Sequence, residues 1–275
     1  MNRRDLIARF QSTGFSPAHR LGQNFLVDRN LAVKLVEMSG VVSGDTVVEV
    51  GPGFGMLSRV LVERGAVVHA IEKDERLKSH LEGLSQELGE SFRWMMGDAV
   101  DHPYADLGGS GDCLIVANLP YAITGPWLFK VMSLGFPKVI GLMLQREAAE
   151  RLMAPVGDKR YGPLGIQLQA AYGLSGMHRV PSSCFHPPPD IESVLFVVKR
   201  RENPRRFGKT CYAGMQEVFT QRRKQLAGLL TRKGLDVPRW MALLEKHGLD
   251  SRVRPEEVPL AAWIEADELA LFGVD

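Results

Sequence analysis

The stretch TVVEVGPGFG, residues 46–55, decides the fold. Its first half, Thr46–Val50, is a short run rich in β-branched residues, which is typical of a buried strand. Its second half places glycines at 51, 53 and 55, just before the helical pattern of Met56–Arg64. Glycines in such a turn let the backbone approach a ligand and let the helix pack against the strand. The stretch therefore predicts a ligand-binding strand–turn–helix unit.

The same alternation of strand and helix continues along the chain. Further strands are predicted at Val67–Glu72, Phe92–Gly97, Leu114–Asn118, Val139–Leu144 and Ser193–Lys199. Helical periodicity is found at Leu31–Met38, Glu75–Leu88, Trp127–Leu134 and Gln145–Met153. Strands that alternate with helices predict a doubly wound, mostly parallel α/β sheet of the Rossmann-like type.

The pattern changes near residue 200. Residues 200–209, RRENPRRFGK, are polar and basic and contain a proline, which is typical of a linker. Beyond them, helices are predicted at Tyr212–Thr231, Pro238–His247 and Leu260–Phe272. We expect a catalytic domain over residues 1–204, with an amino-terminal segment at 1–28, and a small all-helical domain over residues 205–275.

The composition is that of a soluble globular protein. Apolar residues make up 45% of the 275 residues and charged residues 24%, and no apolar run approaches the roughly 20 residues that span a bilayer. The cysteines, at positions 113, 184 and 211, are scattered and lack C-x-x-C spacing. We therefore expect a cytoplasmic protein without disulfides, a metal site or a membrane partner.

Basic charge lies at the two flanks of the chain. Residues 199–254 hold fifteen Lys and Arg against five Asp and Glu, and residues 1–20 hold four Arg against one Asp. Clustered basic charge attracts phosphate backbones, although a solvated helix surface is an equal alternative on charge alone.

Acidic residues end two of the predicted strands. Glu72 stands 21 residues after Gly51, where an acid can accept hydrogen bonds from both ribose hydroxyls of a nucleoside. Asp98 ends the next strand and is placed to accept a hydrogen bond from an adenine amine. Pro52 removes one backbone N–H from the glycine turn, which argues against a pyrophosphate and so against a dinucleotide.

The tetrapeptide Asn118-Leu119-Pro120-Tyr121 ends the fourth strand. The Asn118 side-chain oxygen and the carbonyl of Leu119 or Pro120 can accept hydrogen bonds from an amine, which favours a pyramidal, nucleophilic nitrogen. Tyr121 offers a face on which an extruded base can stack. We therefore predict methyl transfer to an aromatic amine in this loop, which we call the reaction loop (residues 118–121).

With this loop the chain resembles the adenine dimethyltransferases of small-subunit ribosomal RNA. The resemblance is carried by five motifs: LGQNFL at 21–26, NLPY at 118–121, QRE at 145–147, FHPPP at 185–189 followed by Ser193, and FTQRRK at 219–224. It implies a class I methyltransferase domain that uses S-adenosylmethionine and acts as a monomer on 16S rRNA in the small ribosomal subunit.

The resemblance also implies roles for individual residues. Phe185 would stack on the target adenine opposite Tyr121, and a basic helix with Arg222, Arg223 and Lys224 would bind RNA. The implied cofactor contacts are Gln23, Asn24, Leu26, Gly51, Gly53, Glu72, Lys73, Asp98, Ala99 and Asn118. One departure is Ala122, where the family often carries asparagine.

Three other functions compete with this interpretation. The same chemistry on large-subunit rRNA, as in macrolide-resistance methylases, is the nearest; Leu119 and the triple proline favour the small-subunit type. An NAD-dependent oxidoreductase is a second alternative, and an RNA-binding assembly factor without catalysis is a third.

Overall fold

The computed structural model describes residues 15–18, 22–109 and 112–274, together with Arg4 and Ala8. The chain folds into two compact units, residues 1–149 with 173–200 and residues 150–172 with 201–275. The predicted boundary after residue 204 lies near this division. Residues 150–172 pack with the carboxyl-terminal unit, because Tyr161, Ile166 and Ala170 belong to its hydrophobic core.

A seven-stranded sheet forms the first unit. Its strands are β2 (Thr46–Val50), β3 (Val67–Glu72), β4 (Phe92–Met96), β5 (Leu114–Asn118), β6 (Val139–Gln145), β7 (Tyr172–Val180) and β9 (Ser193–Arg200). They lie side by side in the order β4-β3-β2-β5-β6-β9-β7. Strands β2 to β6 pair in parallel, and β9 runs antiparallel to β6. The mostly parallel α/β sheet is thus confirmed.

The register of the parallel strands brings their polar ends to one edge of the sheet. Val50 pairs with Ile71, Glu72 pairs with Met96, and Asn118 pairs with Met143. Since parallel strands point the same way, the residues that follow β2, β3, β4 and β5 all leave the sheet at its carboxyl edge. The predicted site residues Gly51, Glu72, Asp98 and Asn118 are collected there.

Helices accompany these strands in the first unit. They are α1 (Arg29–Ser39), α2 (Met56–Glu63), α3 (Lys78–Leu88), α4 (Thr124–Leu134) and α5 (Arg146–Leu152), which continues into the second unit. The Asp28 side chain caps α1 by accepting from the N–H groups of Asn30 and Leu31. Helix α4 begins three residues earlier than predicted, because a 3₁₀ turn over Tyr121–Ile123 leads directly into it.

A small second sheet was not predicted. Strand β1 (Phe25–Leu26) pairs antiparallel with β8 (Phe185–His186). Two-residue strands carry no readable periodicity, and their pairing joins residues far apart in the sequence. Strand β7 and helix α6 (Pro163–Ala171) were also missed, because glycines interrupt both patterns.

The second unit is helical and has its own aromatic core. It contains α6, α7 (Lys209–Thr220), α8 (Leu226–Arg232), α9 (Val237–Lys246) and α10 (Leu260–Glu268). The rings of Trp240, Trp263 and Phe272 pack together, with both tryptophans fully buried. In the part of the chain that the structure describes, no helix is long and apolar enough to cross a membrane.

The predicted single helix over Tyr212–Thr231 is wrong. Helix α7 ends at Thr220, a turn occupies residues 221–225, and α8 starts at Leu226. The turn is fixed by hydrogen bonds from Lys224 N–H to the Gln221 carbonyl and from Leu226 N–H to the Val253 carbonyl. The burial of Leu226 therefore stabilises the turn more than continued helical hydrogen bonds would.

Candidate active site

The glycine turn after β2 passes very close to an aromatic ring. Gly51 and Gly53 have φ values of 67° and 56°, in the left-handed region that favours glycine. A Cβ atom on Gly53 would lie 2.9 Å from the Phe25 ring, closer than ordinary packing allows. The turn therefore needs glycine at 53 to keep its backbone against Phe25, and both residues line one cavity with Glu72 and Asn118.

Glu72 is held as a buried hydrogen-bond acceptor at the end of β3. Its Oε1 accepts from the N–H groups of Lys73 and Asp74, each at 2.9 Å, and its Oε2 accepts from Gly53 N–H at 3.3 Å. Burial raises the pKa of Glu72, while these three backbone donors oppose that rise. The Glu72 carboxyl group thus bridges the turn that follows β3 and the glycine turn that follows β2. Glu72 lines the same cavity as Gly53 and Asn118.

Asp98 and Lys73 form a pair at the next strand end. Lys73 Nζ lies 2.5 Å from Asp98 Oδ2, and Asp98 Oδ1 accepts from Val100 N–H at 2.9 Å. The hydrogen bond from Lys73 lowers the pKa of Asp98 below its usual range. Asp98, Ala99 and Lys73 line a cavity of about 140 Å³ together with Glu72 and Ala122.

Asn118 is oriented by a bond across the site. Its Nδ2 donates to the backbone carbonyl of Asn24 at 2.8 Å. This bond identifies the opposite atom of the amide, Oδ1, as the acceptor that stays available. In the same loop, the Pro120 carbonyl already accepts from Ile123 N–H at 3.1 Å. Of the two carbonyls that were predicted as alternatives, that of Leu119 is therefore the better second acceptor.

Tyr121 is fixed by its hydroxyl group. Its OH lies 2.6 Å from Ser193 Oγ, and burial raises its pKa while this hydrogen bond lowers it. The ring borders a cavity of about 370 Å³. The other residues that line this cavity are Pro17, Gly22, Gln23, Asn24, Gln145, Pro187, Pro188, Pro189, Asp190 and Ile191.

Two predicted site residues lie elsewhere. Phe185 is fully buried in the core of the first unit, and Leu26, its partner across β1 and β8, is 5% exposed. Neither side chain lines the cavities described above. The prediction that Phe185 faces Tyr121 across a target base is not supported by this structure, because the Phe185 ring packs inward.

Several cavity-lining residues were not predicted. Phe25, Ile71, Ile123 and Gln145 contribute to cavity walls at the carboxyl edge. Phe25 and Gln145 belong to the LGQNFL and QRE motifs, whereas the sequence signal of Ile71 and Ile123 is only their proximity to a strand end. Gln145 ends β6, as Asn118 ends β5.

The predicted RNA-binding residues differ in their surroundings. Arg222 Nε lies 2.6 Å from Glu256 Oε2, and its Nη2 reaches the Asp158 and Tyr161 carbonyls at 3.4 and 3.5 Å. Arg223 and Lys224 are exposed. The three residues occupy the turn between α7 and α8 rather than a helix. Arg222 is thus held within its own unit, while its two neighbours face solvent.

Comparison with known proteins agrees with this geometry. Residues 14–267 match the family described as ribosomal RNA adenine dimethylase. Ribosomal RNA small subunit methyltransferase A of Opitutus terrae is 44% identical over 264 residues, which cover 94% of this chain and 94% of the relative.

Solved structures show the same fold. A dimethyladenosine transferase from Plasmodium falciparum gives a TM-score of 0.72 at 22% identity, over 90% of this chain and 98% of that one. The 23S rRNA methyltransferase ErmE gives a TM-score of 0.67 at 24% identity, over 89% of this chain and 98% of that one.

The fold, with its polar residues at successive strand ends, defines a Rossmann-like methyltransferase. Because the family match spans most of the sequence, the chain belongs to the ribosomal RNA adenine dimethylase family.

Proposed function

We propose that this protein transfers methyl groups from S-adenosylmethionine to the exocyclic amine of adenines in small-subunit rRNA. The observation that carries the proposal is the position of Asn118. Its amide is locked by Asn24, and the reaction loop borders both the cavity that contains Glu72 and the cavity next to Tyr121. A cofactor in the first cavity and a base in the second would meet at this loop.

The residues of the first cavity fit the proposed cofactor. Gly53 allows the turn to approach a ligand, and the buried Glu72 carboxyl offers an oxygen to ribose hydroxyls. Asp98 and Ala99 line the adjoining cavity, where an adenine ring would lie. When bound, the cofactor supplies an electrophilic methyl group on sulfur; the glycine turn, Glu72 and Asp98 hold it in place.

Asn118 and Leu119 supply the chemistry of the loop. The Asn118 Oδ1 and the Leu119 carbonyl would accept hydrogen bonds from the two N–H groups of the target amine, which directs its lone pair toward the methyl group. Bound S-adenosylmethionine would supply the methyl group and leave as S-adenosylhomocysteine, and the amine would lose its proton to water. Alignment of the two reactants accounts for much of the rate.

Tyr121 would hold the base by stacking. Its ring is fixed by Ser193, so little conformational freedom is lost when a base binds. Because Phe185 is buried, we assign the opposing wall to Pro187 and its neighbours, which border the same cavity. The target adenine must leave its base stack to reach this cavity.

The small-subunit substrate is supported by the relatives. The Opitutus terrae protein, at 44% identity, is named for the small subunit, whereas the large-subunit enzyme ErmE shares the fold at only 24% identity. We place the activity in the cytoplasm and expect a monomer whose carboxyl-terminal unit binds RNA. Exposed Arg223 and Lys224 support that last assignment.

The test is a side-by-side methylation assay. Purified protein is incubated with labelled S-adenosylmethionine and either 30S particles or naked large-subunit rRNA, and the products are mapped for N6-methylated adenine. We expect labelling of 30S particles. Labelling of the large-subunit RNA alone would overturn the substrate assignment. Tight NADH binding without S-adenosylmethionine binding would favour an oxidoreductase, and 30S binding without methyl transfer would favour an assembly factor.

A further inference from the structure

The described part of the chain contains three pairs in which an aspartate binds the arginine two residues later. In each pair the arginine Nη2 meets the aspartate Oδ2 and the arginine backbone N–H donates to Oδ1. The pairs are Asp74–Arg76 at 2.6 Å, Asp158–Arg160 at 2.7 Å and Asp250–Arg252 at 2.8 Å between Nη2 and Oδ2. Their local geometry is therefore alike, and their surroundings set them apart.

Only the first of these pairs has a buried carboxylate. The Asp74 side chain is 5% exposed, against 21% for Asp158 and 59% for Asp250. Besides Arg76, Asp74 Oδ2 accepts from Gln23 Nε2 at 2.7 Å. Burial acts to raise the pKa of Asp74, but the bonds from Arg76 and Gln23 outweigh it and leave the pKa lowered. The carboxylate is thus held ionised between two donors.

Arg76 extends from this carboxylate to residues 15–18 and 22–24 of the amino-terminal segment. Its Nη1 donates to the Ser16 carbonyl at 2.9 Å, and its guanidinium lies 4.6 Å from the centroid of the Phe15 ring. Gln23 Oε1 in turn accepts from Ala18 N–H at 2.8 Å. One ion pair therefore fastens both described parts of the segment.

The fastened segment forms walls of the active site. Gln23 borders the cavities next to Glu72, Asp98 and Tyr121, and Asn24 supplies the carbonyl that orients Asn118. On the other side of the ion pair, Asp74 N–H donates to Glu72 Oε1 at 2.9 Å. The pair therefore lies between Glu72 and the amino-terminal segment and is bonded to both.

We propose that Asp74 and Arg76 are positioning residues for methyl transfer, which hold the amino-terminal segment over the bound cofactor and thereby set its residence time. Neither side chain lines the cavities itself. They act through Gln23 and Asn24, whose places in the cavity walls depend on the ion pair. This proposal rests on the function proposed above and adds a mechanism by which the cofactor is retained.

The test compares Arg76→Ala with Arg252→Ala as a matched control. Among the described residues the Arg252 side chain binds only Asp250, so its removal deletes the same local pair without touching the segment. Binding of S-adenosylhomocysteine is measured by calorimetry, and its dissociation rate by stopped flow. For Arg76→Ala we expect the dissociation rate and the Kd of S-adenosylhomocysteine to rise about tenfold, because a few charge-assisted hydrogen bonds are lost. The control should match the wild-type protein.

Kinetics separate positioning from general damage. We expect the KM for S-adenosylmethionine to rise in Arg76→Ala while the KM for 30S particles stays near the wild-type value. The thermal midpoint of Arg76→Ala should fall, because the buried Asp74 carboxylate loses its ion-pair partner, so the kinetics are measured well below that midpoint. Asp74→Asn keeps the side-chain size and an oxygen that accepts from the Arg76 backbone N–H, and it should likewise raise the KM for S-adenosylmethionine while leaving the KM for 30S particles unchanged. Wild-type dissociation rates in both variants would overturn the proposal. A wild-type protein that binds no S-adenosylhomocysteine would overturn the proposed function itself.

Discussion

The side chain of Asn118 donates a hydrogen bond to the backbone carbonyl of Asn24, across 94 residues of sequence and 2.8 Å of space. This bond does two things at once. It turns the amide oxygen of Asn118 into the available acceptor of the reaction loop, and it ties the loop to the amino-terminal segment. A change in either part should therefore reach the other.

Replacing Asn118 should separate catalysis from binding. Asn118→Ala removes one acceptor for the target amine, and we expect kcat to fall by about 100-fold or more, comparable to the loss of one preorganised hydrogen-bonding group in other active sites. Affinity for 30S particles should change less than about threefold, because phosphate contacts dominate RNA affinity. Single-turnover methylation and filter binding measure the two quantities. Equal losses in both would contradict the assigned role.

Tyr121 should act through its ring more than through its hydroxyl. Tyr121→Ala removes a stacking face worth about 1–3 kcal/mol per base, so kcat/KM should fall by at least about tenfold. Tyr121→Phe keeps the ring and loses only the bond to Ser193, and Ser193→Ala loses the same bond from the other side. Both should retain most of the activity. A Tyr121→Phe variant as impaired as Tyr121→Ala would point to chemistry at the hydroxyl instead.

Glu49 makes stability depend on pH. It is 1% exposed beneath the glycine turn, and burial raises its pKa to about 8, with contacts to Ser58 opposing and the Glu72 charge adding to the rise. The folded protein therefore binds a proton that the unfolded chain releases near pH 4.5. The contribution of Glu49 to the free energy of unfolding is fully present below pH 4.5 and is lost as the pH rises toward 8. The loss by pH 7 is on the order of 3 kcal/mol.

Glu49→Gln should remove this dependence. We expect its free energy of unfolding, measured with urea between pH 5 and 8, to vary less with pH than that of the wild-type protein. Glu37→Gln is the control, since the Glu37 carboxylate is 57% exposed beside Arg64. A pH slope for Glu49→Gln equal to those of the wild type and the control would show that Glu49 is already ionised.

The three basic residues between α7 and α8 should divide into two groups. Arg223→Glu with Lys224→Glu changes exposed charge, so we expect weaker binding to 30S particles, a shallower salt dependence and an unchanged thermal midpoint. Arg222→Glu places a carboxylate beside Glu256 and two carbonyls, so it should lower the thermal midpoint of the protein. If Arg222→Glu leaves the midpoint unchanged but weakens binding, Arg222 belongs with the RNA-contacting group.

The sheet and the grouping of polar residues at its carboxyl edge were predictable because both follow from local patterns. Apolar runs located the strands that carry Glu72 and Asn118, and the rule that parallel strands end at one edge brought those residues together. What failed depended on distant partners. The Phe185 ring is buried in the core beside the pairing of β8 with β1, and Arg222 lies in a turn with its guanidinium bonded to Glu256. The bond from Gln23 to Asp74 likewise joins residues 51 apart, which no local pattern indicates.

The shared wall between the cavities limits the order of events. A dimethylated amine consumes two cofactor molecules, so the spent one must leave between the two transfers. Gln23 and Asn24 line both the cavity that contains Glu72 and the cavity next to Tyr121. Under the proposed function, the walls of both cavities share these two residues, so we expect the half-modified adenine to be released when the spent cofactor leaves. Methylation would then be distributive, with a monomethylated base released and captured again for the second transfer.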